Sequence, residues 1–127
     1  MKTEILEHLN RAKDFLGASE ALLERGYASV AAGRAYYAMF HAATAALLAR
    51  GIERSSHHAL ISSFGQFLVK TGKVDERFHV YLREAFTLRS DSDYLPAPTI
   101  TAQEAQAVIE KAREFIDMCA PLCEEED

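Results

Sequence analysis

The 127-residue chain lacks any long apolar stretch, and this absence bounds its cellular class. No apolar run reaches the roughly 18 residues that a bilayer-spanning helix needs. The first fifteen residues, MKTEILEHLNRAKDF, are amphipathic and include acidic side chains, which is not the pattern of a signal peptide. We therefore expect a cytoplasmic protein that does not associate with membranes.

Cysteine is scarce, and so are the motifs of metal and cofactor enzymes. A disulfide between Cys119 and Cys123 would close a trivial loop, so reduced thiols are expected. Glu76-x-x-His79 has the spacing of a di-iron helix, but such bundles need a second copy and two further glutamates. No P-loop, GxGxxG, HExxH or serine-nucleophile motif occurs. The sequence therefore predicts neither a metal nor a cofactor.

Charge is distributed unevenly along the chain, although the net charge is only −5. Residues 25–90 contain nine basic and four acidic residues, whereas residues 91–127 contain two basic and ten acidic ones. The acidic tail, residues 124–127, is expected to be frayed and solvated. The basic middle permits contact with a phosphate chain, although a mixed surface explains most of these charges equally well.

Helical periodicity recurs in five segments, and no segment shows the alternation of a strand. Glycines follow the first three segments, where helices commonly end, and Thr101 and Glu104 fit a capping box at the start of the fifth. Short connections make neighbouring helices antiparallel. We predict one all-α domain over residues 1–127, an up-and-down four-helix bundle with an additional fifth helix. The predicted segments are 3–25, 28–50, 56–71, 75–89 and 101–120.

The second segment carries alanines at steps of three and four residues, which places them on one seam of the helix. Its other sides are largely apolar too, which predicts a buried helix. This helix carries two residues that are costly to bury, Arg34 and His41. Arg34 could pair with Asp91 or Asp93, and His41 could bond a backbone carbonyl or a tyrosine. Alternatively, Arg34 holds a phosphate and His41 moves a proton, as metal-free RNA cleavage requires.

Two further groups of polar residues lie at the ends of the later segments. Arg89 and Asp93 have the i,i+4 spacing of an ordinary helical ion pair, and Tyr94 could simply plug the end of the bundle. His57 and His58 are adjacent at a helix start and point about 100° apart, so they cannot easily share a metal ion. Of these two, His57 is the better candidate to reach Arg34 and His41.

Several of these residues resemble the signature of small prokaryotic HEPN-domain proteins (higher eukaryotes and prokaryotes nucleotide-binding). The resemblance rests on the run Ala35-Tyr-Tyr-Ala-Met-Phe-His41, on Ser56-His57, on Arg89-x-x-x-Asp93-Tyr94 and on the Thr-x-x-Glu helix start. It implies a bundle of about five helices, commonly a homodimer, that serves as the toxin beside a nucleotidyltransferase antitoxin. The implied ligand is a nucleotide or RNA, and the candidate ligand-binding residues are Tyr37, His57, Arg89, Asp93 and Tyr94.

Ribonucleases of this family use an arginine and a histidine that are separated by four to six residues on a late helix. Here the residue five positions after Arg89 is Tyr94, so this late motif is missing. Arg34 and His41 have the family spacing, but on the second helix. Three functions therefore stay open: a binding module, a ribonuclease with Arg34 and His41 as catalytic residues, and a purely structural dimer. The proposed active centre requires Arg34 and His41 to share a cavity near residues 89–94.

Overall fold

The computed structural model describes residues 1–97 and 99–125, and this part of the chain is helical without strands. Three residues lie outside the described part of the chain: Pro98, and Glu126 and Asp127 of the acidic tail. The all-α prediction is confirmed. The elements are α1 (Thr3–Glu24), α2 (Ala28–Leu48), α3 (His57–Phe64), a π-helical turn (Gly65–Val69), α4 (Glu76–Tyr94) and α5 (Ala102–Glu124).

Helix α2 is the packing axis, with α1, α4 and α5 around it. The alanine seam predicted from the sequence is buried along its length, from Ala31 to Ala49. Methyl side chains let neighbouring backbones come close, and the larger core side chains on the surrounding helices fill the remaining space. Within that core, Phe64, Phe78 and Phe115 form an aromatic cluster.

Side-chain contacts give the direction of each helix. His8 near the start of α1 contacts His41 near the end of α2, so these two helices are antiparallel. Gly33 faces Ser92, and Tyr36 faces Phe86, so α2 and α4 are antiparallel as well. The four long helices therefore alternate in direction as predicted, and α3 with the π-helical turn bridges α2 to α4 as the additional element.

The helix ends follow local chemistry where the sequence marks them. Gly26, Gly51 and Gly72 have positive φ, as a left-handed helix end requires. Thr101 and Glu104 form the predicted capping box. The predicted end of α4 at residue 89 is wrong, because the helix continues through Ser-Asp-Ser-Asp to Tyr94. The Arg89–Asp93 pair stabilises this last turn within α4, and Ser92 packs it against α2 at Gly33.

No helix in the part of the chain that the structure describes is both long and apolar enough to cross a membrane. The same residues contain no group of three or more histidine, cysteine or carboxylate side chains arranged to hold a metal ion. Both cysteines are buried free thiols.

Candidate functional site

A polar cluster forms where the last turns of α4 meet α2 and the start of α3. We call Tyr36, Tyr37, His57, Arg89 and Asp93 the Arg89 cluster. Helix α4 packs against α2 here at Gly33: a Cβ at this position would lie 3.4 Å from the Ser92 Oγ, at van der Waals contact. The structure thus brings together four of the five predicted ligand-binding residues, and it adds Tyr36.

His57 joins the arginine to a tyrosine, and its partners determine where its proton lies. Its Nε2 is 3.0 Å from the Arg89 Nη2, and its Nδ1 is 2.7 Å from the Tyr36 hydroxyl. A guanidinium nitrogen only donates hydrogen bonds, so the His57 Nε2 must accept. The proton of neutral His57 therefore lies on Nδ1, from which it is donated to Tyr36. Burial, with the charges of Arg89 and His58, lowers the pKa of His57, in agreement with a neutral ring.

Arg89 is the buried arginine of the site, with 8% of its surface exposed. Its Nε lies 3.4 Å from the Asp93 Oδ2, but in a geometry that leaves Nε without a hydrogen bond in the described part of the chain. Its guanidinium also packs against the rings of Tyr36, Tyr37 and Phe86 at 5.4–5.8 Å. Burial would lower the pKa of Arg89, but a hydrogen bond to Tyr37 and nearby Asp93 raise it, so the group stays charged.

Arg34 is exposed, so the prediction that it is buried is wrong. Its guanidinium lies over the ring of Tyr37, 5.8 Å from the centroid. The face of α2 that carries Val30 and Arg34 is left uncovered by the other helices, although its residues looked apolar enough to be buried. Asp93, one of the two carboxylates expected to neutralise Arg34, pairs with Arg89 instead.

His41 is half-buried, and its partner is another histidine. Its Nδ1 is 3.0 Å from the Nδ1 of His8, so one ring donates and the other accepts. The predicted partners, a backbone carbonyl or a tyrosine, are therefore wrong. Burial, followed by the charges of His8 and Arg11, lowers the pKa of His41 to about 4. His41 is thus neutral at physiological pH and able to accept a proton.

A row of stacked rings separates the two predicted catalytic residues. Phe15 of α1 stacks on Tyr37 at 5.5 Å and on His41 at 5.5 Å, and His41 stacks on His8 at 5.2 Å. We call these four residues the ring row. In the described residues Arg34 contacts its Tyr37 end and His41 lies within it, so the two have no direct partner in common. The expected shared cavity is replaced by packed rings.

The remaining predicted ligand-binding residue, Tyr94, lies on the surface. Its side chain is 76% exposed at the end of α4, so it does not plug the bundle. Residues of α1 were missed by the sequence reasoning altogether. Arg11 lies 4.6 Å over the ring of Phe15, so the ring row carries a second cation beside Arg34. The amphipathic pattern of α1 does not show which residue of α2 each of its side chains meets.

This arrangement of arginines and aromatic rings is suited to bind phosphate groups and unpaired bases. Arginines bind phosphate oxygens through several N–H groups, and flat rings offer stacking surfaces to unpaired bases. Arg11, Arg34 and Arg89 all lie against rings, within one continuous group of aromatic side chains. Of these three arginines, Arg89 pairs with the carboxylate of Asp93.

Comparison with known proteins agrees with this fold. The family model of the HEPN domain matches residues 5–125. The chain therefore belongs to the HEPN domain family. It is 32% identical over 117 residues to a Methanocaldococcus jannaschii protein named "Putative toxin", covering 92% of this chain and 87% of that protein.

Two bacterial relatives carry a family name without a function. A Thermotoga maritima protein named as a UPF0332 protein is 31% identical over 125 residues, which is 98% of this chain and 95% of that protein. A UPF0332 protein of Gloeobacter violaceus is 34% identical over 119 residues, which is 93% of this chain and 94% of that protein. Relatives of similar length therefore span archaea and bacteria.

Proposed function

We propose that this HEPN domain is a toxin-type module that acts in the cytoplasm and binds RNA or a nucleotide through the Arg89 cluster and the ring row. As the family resemblance implies, it forms a homodimer and is neutralised by a nucleotidyltransferase partner. The names of two Methanocaldococcus jannaschii relatives, both "Putative toxin", support the toxin assignment.

One observation carries the binding proposal: Arg34 and Arg89 lie against the same ring. Their guanidinium carbons are 5.8 and 5.5 Å from the centroid of Tyr37. Asp93 pairs with Arg89, while Arg34 is exposed to solvent. Because His57 is neutral, it adds no charge of its own and serves to orient Arg89. A phosphate approaching Tyr37 therefore meets one mobile and one fixed guanidinium.

Binding is tested with a fluorescent single-stranded RNA, followed by anisotropy at several salt concentrations. Arg34→Ala should weaken binding about tenfold and reduce the slope of log affinity against log salt by about 0.7, the value for one lost phosphate contact on a single strand. Arg83→Ala is the matched control, because Arg83 is an exposed arginine of α4. Equal effects of the two variants, or no binding by the wild type, would contradict the proposal.

The partner is tested separately by co-expression with a nucleotidyltransferase encoded beside this protein. We expect the two chains to elute together from a sizing column, and we expect growth inhibition by this chain alone to be relieved by the partner. If the two chains elute separately and expression of this protein does not inhibit growth, the purely structural dimer would be the better explanation.

A second candidate function, metal-independent RNA cleavage, is favoured by the His8–His41 pair. Neutral His41 can take the proton of a 2′-hydroxyl as that oxygen attacks the neighbouring phosphorus and the 5′-oxygen leaves. Arg34 would stabilise the charge that develops on the phosphate, which requires the rings of Phe15 and Tyr37 between Arg34 and His41 to move apart. Cleavage of RNA in EDTA that is lost in His41→Ala and Arg34→Ala, but kept in the exposed control His58→Ala, would support this function. Activity unchanged in the first two variants would reject it.

A further inference from the structure

A second cationic pocket lies at the opposite end of α2 from Arg34. It has a volume of about 410 Å³ and is lined by Arg50, Ile52, Phe67, Thr71 and Lys73. Arg50 is sixteen residues after Arg34, which corresponds to roughly 24 Å along the helix axis at 1.5 Å per residue. The pocket therefore shares no residue with the Arg89 cluster or the ring row.

Arg50 is a buried arginine with only part of its hydrogen-bonding capacity used. Its side chain is 7% exposed. Its Nη1 donates to the backbone carbonyls of Leu122 and Glu125, at the end of α5, where helix carbonyls lack internal partners. Its Nε and Nη2 have no hydrogen-bond acceptor among residues 1–97 and 99–125. One edge of the guanidinium thus caps a helix. The other edge is buried without an acceptor, so a ligand can reach it only where a neighbouring side chain moves aside.

The chain's own carboxylate lies at this free edge. The Glu125 Oε1 is 3.6 Å from the Arg50 Nη2 and 3.5 Å from the Lys73 Nζ. These distances are those of an ion pair at or beyond the limit of hydrogen bonding. Two cations therefore share one loosely held carboxylate. Glu125 is exposed to solvent, as expected for the acidic tail, and it also lies beside these two cations.

We propose that Arg50 and Lys73 form a binding site for a phosphate monoester, which displaces the carboxylate of Glu125. A phosphate dianion carries more charge than a carboxylate and more oxygens, so it can accept from the Arg50 Nε and Nη2 and from Lys73 together. The Thr71 hydroxyl already donates to the carbonyl of Phe67, so it contributes no hydrogen bond. Ile52 and Phe67 form an apolar wall that fits the base of a nucleoside monophosphate.

The site goes beyond the proposed function, and isotope-labelled full-length protein tests it in an NMR titration. Inorganic phosphate and AMP are added in parallel at constant ionic strength. We expect saturable shifts of the backbone amides of Ile52, Lys73 and Glu125, with AMP binding several-fold tighter than phosphate. Equal affinities would overturn the role of Ile52 and Phe67, and shifts that are uniform or do not saturate would overturn the site.

Variants of the two flexible side chains separate this site from general charge effects. Lys73→Gln should weaken AMP binding about fivefold, and Glu125→Gln should tighten it about threefold because the competing charge is removed. The matched controls are Lys70→Gln and Glu124→Gln, since both side chains are exposed nearby. The same effect from Lys70→Gln as from Lys73→Gln, or weaker binding by Glu125→Gln, would refute the proposal.

Discussion

Arg89 shows, at the scale of single residues, how one cation orders its neighbours. It obliges His57 to accept a hydrogen bond at Nε2, and His57 then donates from Nδ1 to Tyr36. Three helices are joined by this chain of two hydrogen bonds. The burial of Arg89 is tolerable because its stem and guanidinium lie among aromatic rings while Asp93 supplies the opposite charge.

Truncation of Arg89 should therefore destabilise the fold. We expect Arg89→Ala to lower the free energy of unfolding by about 2–4 kcal/mol, since it opens a cavity and leaves His57 without its donor. Arg89→Met retains much of the apolar stem and should cost less. Urea denaturation measures both, with Arg83→Ala as an exposed control expected within about 0.5 kcal/mol of the wild type. Equal losses in the two Arg89 variants would show that packing plays no part.

The His8–His41 pair should make the protein less stable at acidic pH. Because the pKa of His41 falls to about 4 on folding, the unfolded chain binds more protons between that value and its ordinary pKa near 6.5. The free energy of unfolding should therefore be highest above pH 6.5, fall by roughly 2 kcal/mol as the pH drops to about 4, and lose nothing further to His41 below that.

Replacing the histidine isolates its contribution. His41→Gln should flatten the pH dependence between 4 and 6.5, leaving only the smaller effect, of the same sign, that the lowered pKa of His57 gives. His58→Gln, an exposed neighbour of His57, should change the profile only slightly, through the small part that its charge plays in lowering the pKa of His57. Urea midpoints measured across this range provide the comparison. An unchanged slope in His41→Gln would mean that other groups cause the pH dependence.

The predicted and observed positions of the arginines differ for a physical reason. The composition of α2 correctly indicated a buried helix, but burial of one side chain depends on which neighbour covers it. The face with Arg34 is uncovered, whereas Arg89 lies where α4 crosses Gly33 of α2. The sequence placed Arg89, Asp93 and His57 among the candidates by resemblance, and only the packing of three helices shows that they touch.

At the scale of the elements, the π-helical turn shows a contact between distant segments shaping local structure. His79 of α4 donates from Nε2 to the carbonyl of Ile61 at 3.0 Å, beside the start of the turn. Its ring occupies the space over Gly65, where a Cβ would lie 2.8 Å from the His79 Cε1. The turn thus depends on a glycine that admits a ring from another helix, and π-turns often mark such special contacts.

Gly65→Ala should therefore destabilise the protein by about 1–3 kcal/mol, because the new methyl collides with the imidazole. Gly17→Ala is the matched control: its position in α1 has open space, so the better helix former should stabilise by about 0.5–1 kcal/mol. Thermal or urea unfolding measures both. Combination with His79→Ala should recover part of the Gly65→Ala loss, and strictly additive effects would argue against the collision.

Helix boundaries were predictable where they follow from neighbouring residues. Glycines with positive φ and the Thr101–Glu104 box are local signals, and both were read correctly. The last turn of α4 was not predictable in this way, because serine and aspartate favour turns by themselves. An ion pair to Arg89 and packing of Ser92 on α2 make that turn helical, and the π-helical turn likewise depends on His79.

At the scale of the whole molecule, exposed apolar side chains mark the proposed homodimer face. Tyr27 and Val30 at the start of α2 and Tyr94 and Leu95 at the end of α4 are 40–76% exposed. Because α2 and α4 are antiparallel and Gly33 faces Ser92, all four lie at the same end of the bundle. A group of exposed apolar side chains of this kind is typical of an interaction surface.

Val30→Glu should therefore convert the proposed dimer to a monomer. The fold should be kept, because a carboxylate in the first turn of a helix interacts favourably with the helix dipole. Leu6→Glu is the matched control, since Leu6 is an exposed apolar residue near the start of α1. Light scattering after size exclusion gives the mass of each variant. A wild type with the mass of one chain, or a Val30→Glu variant that stays dimeric, would remove this face from consideration.

The alanine seam of α2 has a consequence for how this domain can diverge. Each seam position from Ala31 to Ala45 has no exposed surface, and a longer side chain there would push apart whole helices rather than single groups. A saturation library read out by folding should accept mainly glycine or serine along that line, while the solvent faces of α1 and α5 accept most residues. Descendants of such a domain can therefore change their surface chemistry, and with it their targets, around an almost invariant axis.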